Sequence, residues 1–254
     1  MGKLLGHQIK NHFKYNWFIP VLPVALILFG VLFSNVNNKI GVSAVAIGMM
    51  ALMFGYFAAA ITVIVGDYNM FFGDSALFYE STPISPSAKT FSRFLYYLIM
   101  FIIYSIYVGL ICFLFMTAPS VDEGVINISW ADISKAINEV GVRNILIGVA
   151  WVLIALFNNI ISIIFAVTLG GGKKLRRFGL GGPVLVYIGL GMIEGAVIYV
   201  LDKFDLFTNI ELFLNNGDVF MRGMGIGILI PMILETIALF AGVYYMHKKR
   251  ISVS

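Results

Sequence analysis

The chain alternates between long apolar runs and short polar segments. Six runs are long enough to cross the hydrocarbon core of a bilayer, which takes about 20 residues in a helix. They are Trp17–Ser34, Val42–Val65, Phe94–Thr117, Ile145–Leu169, Gly181–Leu201 and Gly223–Met246. The runs are continuous and lack the alternation of barrel strands. The pattern therefore predicts an all-α integral membrane protein, with six transmembrane helices in a single domain covering residues 1–254.

Composition and charge agree with this prediction and orient the helices. Apolar side chains make up 60% of the chain and charged ones only 12%, unlike a water-soluble domain. With both termini in the cytoplasm, twelve of the seventeen lysines and arginines also lie there, as the positive-inside rule favours. These twelve are Lys3, Lys10, Lys14, Lys89, Arg93, Lys173, Lys174, Arg176, Arg177, Lys248, Lys249 and Arg250. The net charge of +4 thus indicates sidedness and contact with anionic membrane lipid, and does not point to nucleic acid.

The same orientation assigns the segments between the spans. Residues 118–143 and 202–222 become extracellular, whereas residues 67–93 become cytoplasmic. Residues 1–16 precede the first span and show an apolar stripe at every fourth position, formed by Leu5, Ile9, Phe13 and Trp17. This spacing predicts an amphipathic helix in the cytoplasmic interface. A simply solvated leader is the alternative.

The cytoplasmic segment 67–93 carries its own start and stop signals. Gly73-Asp74-Ser75 is typical of a helix start, because Asp74 can accept hydrogen bonds from free amides. Pro83 then stops the helix after about two turns. Ser85-Pro86 is a second start signal, with proline at the first helical position. The segment is therefore predicted to contain a short helix, a break and an angled entry helix into the third span.

Two acids and one pair of asparagines fall inside predicted spans. Glu194 and Glu235 are costly in hydrocarbon, so each is a candidate functional residue. The alternative is a protonated or hydrogen-bonded carboxyl group that holds helices together. Asn158 and Asn159 are expected to make interhelical hydrogen bonds of that kind.

Small residues mark two possible contact stripes. Gly191 and Gly195 form a GxxxG pair in the fifth span, where helices can approach closely. Gly41, Gly48 and Gly55 recur at intervals of seven in the second span. Each stripe could contact another subunit or a neighbouring helix of the same chain.

Several kinds of chemistry lack the residues that they need. The three histidines, His7, His12 and His247, all lie at predicted cytoplasmic ends of spans, which argues against an intramembrane protease or a metal site. Gly170-Gly171-Gly172-Lys173-Lys174 lacks the spacing of a phosphate-binding Walker A loop. We therefore expect no catalytic residues, no directly bound cofactor and no metal, and any ATP hydrolysis has to come from another protein.

Six spans, internal termini, an interfacial N-terminal helix and a structured second loop together resemble the membrane subunit of ABC exporters of the type V, or type-2 permease, family. In that family the second loop carries a coupling helix, followed by a segment of the leucine-proline-valine-serine type. Thr82-Pro83-Ile84-Ser85 is similar to that segment, although threonine replaces leucine. The resemblance implies that Asp74 to Pro83 docks on an ATPase, and its candidate contacts are Asp74, Phe78, Tyr79, Glu80 and Pro83.

The resemblance also implies the partners and the location. A permease of this kind works in a bacterial plasma membrane with two copies of a separate ATPase, which bind the ATP and magnesium. It pairs with a second copy or a paralogue through spans that include the fifth, where Gly191 and Gly195 lie. The substrate expected by resemblance is an amphipathic or antimicrobial peptide, or another hydrophobic compound. The alternative is a channel or secondary transporter that needs no ATPase and uses Glu194 or Glu235 as an ion or proton site.

Overall fold

A computed structural model describes residues 2–34, 38–73, 85–116, 141–203 and 226–250, together with residues 76, 79, 134, 135 and 138. The regular elements of these residues are helices. Their bounds are α1 Gly2–Asn16, α2 Phe18–Ser34, α3 Asn38–Phe72, α4 Pro86–Met116, α5 Val142–Gly170, α6 Gly181–Lys203 and α7 Ile226–Arg250, with a short 3-10 helix at Arg176–Phe178. The prediction of an all-α protein is thereby confirmed for the described part of the chain.

The helices have the length and surface of membrane-spanning elements. Five of them are long and apolar enough to cross a bilayer, and a sixth span results if α1 and α2, bent by 45° at Trp17, are counted together. Large apolar side chains remain exposed along their surfaces, for example Leu32 and Phe54 at 72% and Met192 at 71%. Apolar surface this extensive requires contact with lipid tails or with another apolar surface. The chain is therefore a membrane-embedded protein.

The structure divides into two compact units, Met1–Phe115 and Met116–Ser254. In the first unit α2 packs closely along α3, and glycines make this approach possible. A Cβ atom at Gly30 would lie 2.7 Å from the backbone nitrogen of Val45, and one at Gly48 would lie 2.6 Å from Cγ1 of Ile27. The carbonyl oxygen of Gly41 would lie 2.8 Å from the same Cβ at Gly30. The glycine stripe of the second span thus contacts a helix of its own chain.

Helix α4 completes the first unit with large side chains. Tyr96, Tyr97 and Met100 are fully buried, as is Ala59 of α3. The helix begins at Pro86, where the backbone N–H of Ala88 donates to Oγ of Ser85 at 3.3 Å. The start that Ser85-Pro86 predicts is therefore confirmed, and it fixes where the third span leaves the polar segment.

Helix α3 is longer than the membrane is thick. Its 35 residues correspond to about 52 Å at 1.5 Å per residue. Even tilted by about 40° the helix would span about 40 Å, against a hydrocarbon thickness of about 30 Å. The apolar run of α3 ends at Val65, so we expect the excess length at this end, with Asp67 and Asn69, to lie near the polar headgroups.

The buried face of α1 differs from the face formed by its apolar stripe. Leu4, Gln8 and His12 are buried, while the predicted stripe is half-buried and ends at Trp17, which is 60% exposed. Polar side chains turn inward because they find hydrogen-bonding partners on α4. The apolar stripe is left beside them, where it is available to lipid.

The second unit is built on α5, which packs against both α6 and α7. Ile160, Ile161 and Ile164 form its buried centre. The α5–α6 turn brings two backbones together, because a Cβ atom at Gly170 would lie 2.3 Å from the nitrogen of Pro183. The predicted extracellular segments, 118–143 and 202–222, lie largely outside the described residues.

Candidate functional site

Asp67 and Arg93 form a buried ion pair that joins the end of α3 to the start of α4. Nε of Arg93 donates to Oδ1 and Oδ2 of Asp67 at 2.9 and 3.2 Å, and Nη2 donates a further bond to Oδ2. The hydroxyl of Tyr97 donates to the same Oδ2 at 3.1 Å. Both charged side chains are fully removed from solvent. A planar guanidinium bound through two nitrogens fixes the angle as well as the distance between the two helices.

Aromatic rings enclose the guanidinium. Its carbon lies 4.9 Å from the ring centroid of Phe71 and 6.0 Å from that of Phe72. The faces of these rings carry partial negative charge and attract the cation. Arg93 is thereby held by a carboxylate and by two rings from the last turn of α3.

The N-terminal helix is tied to the same part of α4. Oγ of Ser92 donates to Oε1 of Gln8 at 3.1 Å. The imidazole of His12 hydrogen bonds with the hydroxyls of Tyr104 and Tyr96 at 2.9 and 3.3 Å. Burial of these side chains is tolerated because each makes a hydrogen bond across the helix interface. Nε2 of Gln8 is buried without a partner among the described residues.

We call this set the joint cluster. It consists of Gln8, His12, Asp67, Ser92, Arg93, Tyr96, Tyr97 and Tyr104. Asp67 precedes residues 74–84 in the chain and Arg93 follows them. A displacement of that segment would therefore act on α3 and α4 together, and through the side chains of α4 on α1.

The predicted coupling residues are described only at Tyr79. Its side chain is buried, with ring centroids 6.0 Å from His7 and 5.8 Å from Phe71. Burial raises the pKa of the Tyr79 phenol above its usual value of 10, so the hydroxyl keeps its proton at neutral pH. The other four, Asp74, Phe78, Glu80 and Pro83, lie outside the described residues.

The second unit contains a chain of polar side chains between α5, α6 and α7. Nδ2 of Asn158 donates to Oε2 of Glu235 at 3.2 Å, and also reaches the carbonyl oxygen of Met232. The carboxyl group of Glu194 lies beside that of Glu235. Polar side chains of α5, α6 and α7 thus meet inside the second unit.

The remaining predicted residues lie apart from this chain. Asn159 donates to the hydroxyl of Tyr187 at 3.1 Å, which links α5 to α6. In the described part of the chain, a Cβ atom placed on Gly191 or Gly195 would meet nothing within 4 Å. Among the described residues, no three His, Cys, Asp or Glu side chains are grouped so as to hold a metal ion.

Sequence reasoning missed the pairing of Asp67 with Arg93 and the inward face of α1. A signal was present, because the acid closes one apolar run and the base opens the next, so antiparallel helices place both at similar depth. No such signal exists for Gln8 and His12, whose partners are 84 and 92 residues away. The chain matches no family model, and it shows no significant similarity to a curated protein or to a solved structure.

Proposed function

We propose that this chain is the permease subunit of an ATP-driven exporter and forms the substrate path through a bacterial plasma membrane. A separate ATPase, present in two copies, binds ATP and magnesium and docks on Asp74 to Pro83 at the cytoplasmic face. The exported compound is an amphipathic or antimicrobial peptide or another hydrophobic molecule. In this arrangement both termini are cytoplasmic, and the chain itself hydrolyses no nucleotide.

The observation that carries the proposal is the buried joint cluster. A coupling segment has to move its flanking helices as rigid bodies, because a flexible connection would absorb the displacement. The ion pair between Asp67 and Arg93 holds the two ends of the segment together. Gln8 and His12 add the N-terminal helix to the same rigid set. A structured joint beside a short cytoplasmic segment suits a site that receives force from another protein.

Charge reversal at the docking segment tests the ATPase interaction. We expect Glu80→Lys to weaken the complex with a co-expressed neighbouring ATPase about tenfold or more, because a like charge would face basic residues of the partner. Complex formation is measured by affinity co-purification, and coupling by substrate-stimulated ATP turnover in membranes. Glu211→Lys makes the same charge change in a predicted extracellular segment and should alter neither. Intact binding and turnover in the Glu80→Lys protein would show that this segment does not dock.

The fifth-span GxxxG pair is the proposed contact with the second permease copy. Among the described residues, a Cβ atom at Gly191 or Gly195 would meet nothing within 4 Å, and both positions are exposed. We expect Gly195→Ile to shift the purified permease from dimer to monomer in light-scattering chromatography, because the added side chain would separate the helices. Gly189→Ile is the matched control, since position 189 is equally open but lies on another side of α6. A Gly195→Ile protein that remains dimeric would exclude this contact.

A second candidate function rests on Glu194 and Glu235, whose carboxyl groups lie beside each other between α6 and α7. A pair of acids inside a membrane helix bundle is a feature of proton-coupled carriers. In that case the chain would be a secondary transporter or channel that needs no ATPase. Transport by the purified chain alone in proteoliposomes, abolished by Glu235→Gln, would favour the carrier over the permease.

A further inference from the structure

A cavity of about 400 Å³ opens between α1 and the last turns of α3 in the first unit. Its lining includes His7, Asn11 and Tyr15 of α1, Thr62 and Asn69 of α3, and Tyr79. The volume lies within the range of about 300–1,000 Å³ that is typical of small-molecule sites. The cavity is separate from the joint cluster apart from His12, whose ring nitrogens are both engaged by tyrosines.

The position of the cavity along α3 places it where the lipid headgroups are expected. Its lining residues on this helix run from Thr62 through Val65 and Gly66 to Asn69 and Met70. They cross the point where the apolar run ends and where the helix becomes too long for the hydrocarbon layer. A ligand in the cavity can therefore keep a polar group among protein donors and an apolar part in the membrane.

The chemistry of the lining favours a negative charge. The side-chain amides of Asn11 and Asn69 line the cavity and make no hydrogen bond to the described part of the chain. His7 adds ring nitrogens, and Tyr79 adds an aromatic ring to the lining. No carboxylate is present among the described lining residues.

The charges around the cavity also favour a negatively charged ligand. Lys10 and Lys14 are exposed on α1, the helix that forms one wall. The carboxylate of Asp67, two residues before Asn69, is turned inward and neutralised by Arg93. Several neutral donors within a basic field are what a phosphate anion needs, since it only accepts hydrogen bonds.

We propose that this cavity is a binding site for a phosphate group, with Asn11 and Asn69 donating to the phosphate oxygens. Two sources share that chemistry: the headgroup of an anionic phospholipid and a free phosphate compound from the cytoplasm. Bound phosphate would bridge α1 and α3 beside the joint cluster and so stabilise their arrangement. The proposal is independent of the transport function, because it rests only on the first unit.

The test measures ligand binding by the purified full chain in detergent. Native mass spectrometry gives the affinity for palmitoyl-oleoyl phosphatidylglycerol, for the matching diacylglycerol without phosphate, and for inorganic phosphate. We expect Asn11→Asp and Asn69→Asp each to weaken phosphate-bearing ligands about tenfold or more, because a carboxylate replaces an amide donor at nearly unchanged volume. Asn138→Asp, at an exposed position of the other unit, should leave the affinity unchanged.

Each outcome decides a separate question. If the aspartate variants lose phosphatidylglycerol binding and the parent chain does not detectably bind inorganic phosphate, the site binds a lipid headgroup. If the variants lose binding of both ligands, the site also binds soluble phosphate. Equal affinities for phosphatidylglycerol and diacylglycerol would overturn the proposal. Unchanged phosphatidylglycerol affinity in both aspartate variants would overturn it too. Unaltered far-ultraviolet circular dichroism establishes that the variants are folded, and Asn69→Asp is the safer of the two because position 69 is exposed.

Discussion

Replacing Arg93 with glutamine is expected to lower the free energy of unfolding by about 3–5 kcal/mol, the usual cost of removing one partner from a buried ion pair. Asp67 would keep a hydrogen bond from Tyr97 but would have no positive charge beside it. The side chain has no exposed surface through which water could replace the guanidinium. The loss is measured by detergent-induced unfolding of the purified chain, followed by circular dichroism.

Two controls separate charge pairing from the general effect of losing an arginine. Arg177→Gln removes an exposed guanidinium that contacts Phe178, and we expect a loss of about 0.5 kcal/mol or less. The double substitution Asp67→Leu with Arg93→Met removes both charges and should recover most of the stability. If the double variant is as unstable as Arg93→Gln alone, the stability loss comes from losing the geometry of the pair and not from the unpaired charge of Asp67.

Substitution of Gly170 by alanine is expected to cost about 3 kcal/mol, at the upper end of the usual overpacking penalty. A Cβ atom there would lie 2.3 Å from the nitrogen of Pro183 and 2.5 Å from the carbonyl carbon of Gly182. These are backbone atoms, so no side-chain rotation relieves the overlap. The α5–α6 turn would have to open, which thermal unfolding of the purified chain would report as a lower midpoint.

The matched control is another helical glycine in the same unit. Gly189→Ala places a methyl group where no described residue lies within 4 Å. Alanine is favoured over glycine in a helix interior by about 1 kcal/mol, so this variant should be as stable as the parent or slightly more so. Similar midpoints for the Gly170→Ala and Gly189→Ala proteins would contradict the close backbone contact.

The helices of the fold could be predicted from local sequence pattern. The two glycine stripes show that the partner of a helix could not. Gly48 and Gly195 look alike in sequence, each in a small-residue repeat within an apolar run. In the structure a Cβ at Gly48 would meet Ile27, whereas one at Gly195 would meet none of the residues that the structure describes. A repeat specifies that close approach is possible, but the partner depends on which helices are neighbours.

The candidate site also contains some features that could be predicted from the sequence and others that could not. The capping serine before Pro86 and the polar residues 67–93 could be predicted, since proline, capping and charge act over a few residues. Asn158 was expected to bond across helices, but its partner Glu235 is 77 residues away. The inward face of α1 was missed because apolar periodicity indicates the face that lipid can cover, and burial here follows hydrogen bonding to α4.

The sequence by itself determined that the chain is helical, embedded in a membrane and interrupted by a polar segment between α3 and α4. Those properties follow from apolar run length and from local backbone chemistry, which need no knowledge of distant residues. Only the tertiary structure decided that Asp67 closes on Arg93, that Gln8 and His12 face inward, and that a polar cavity lies between α1 and α3. Buried polar groups must find partners wherever the fold brings them, so their pairing is a property of the packed chain.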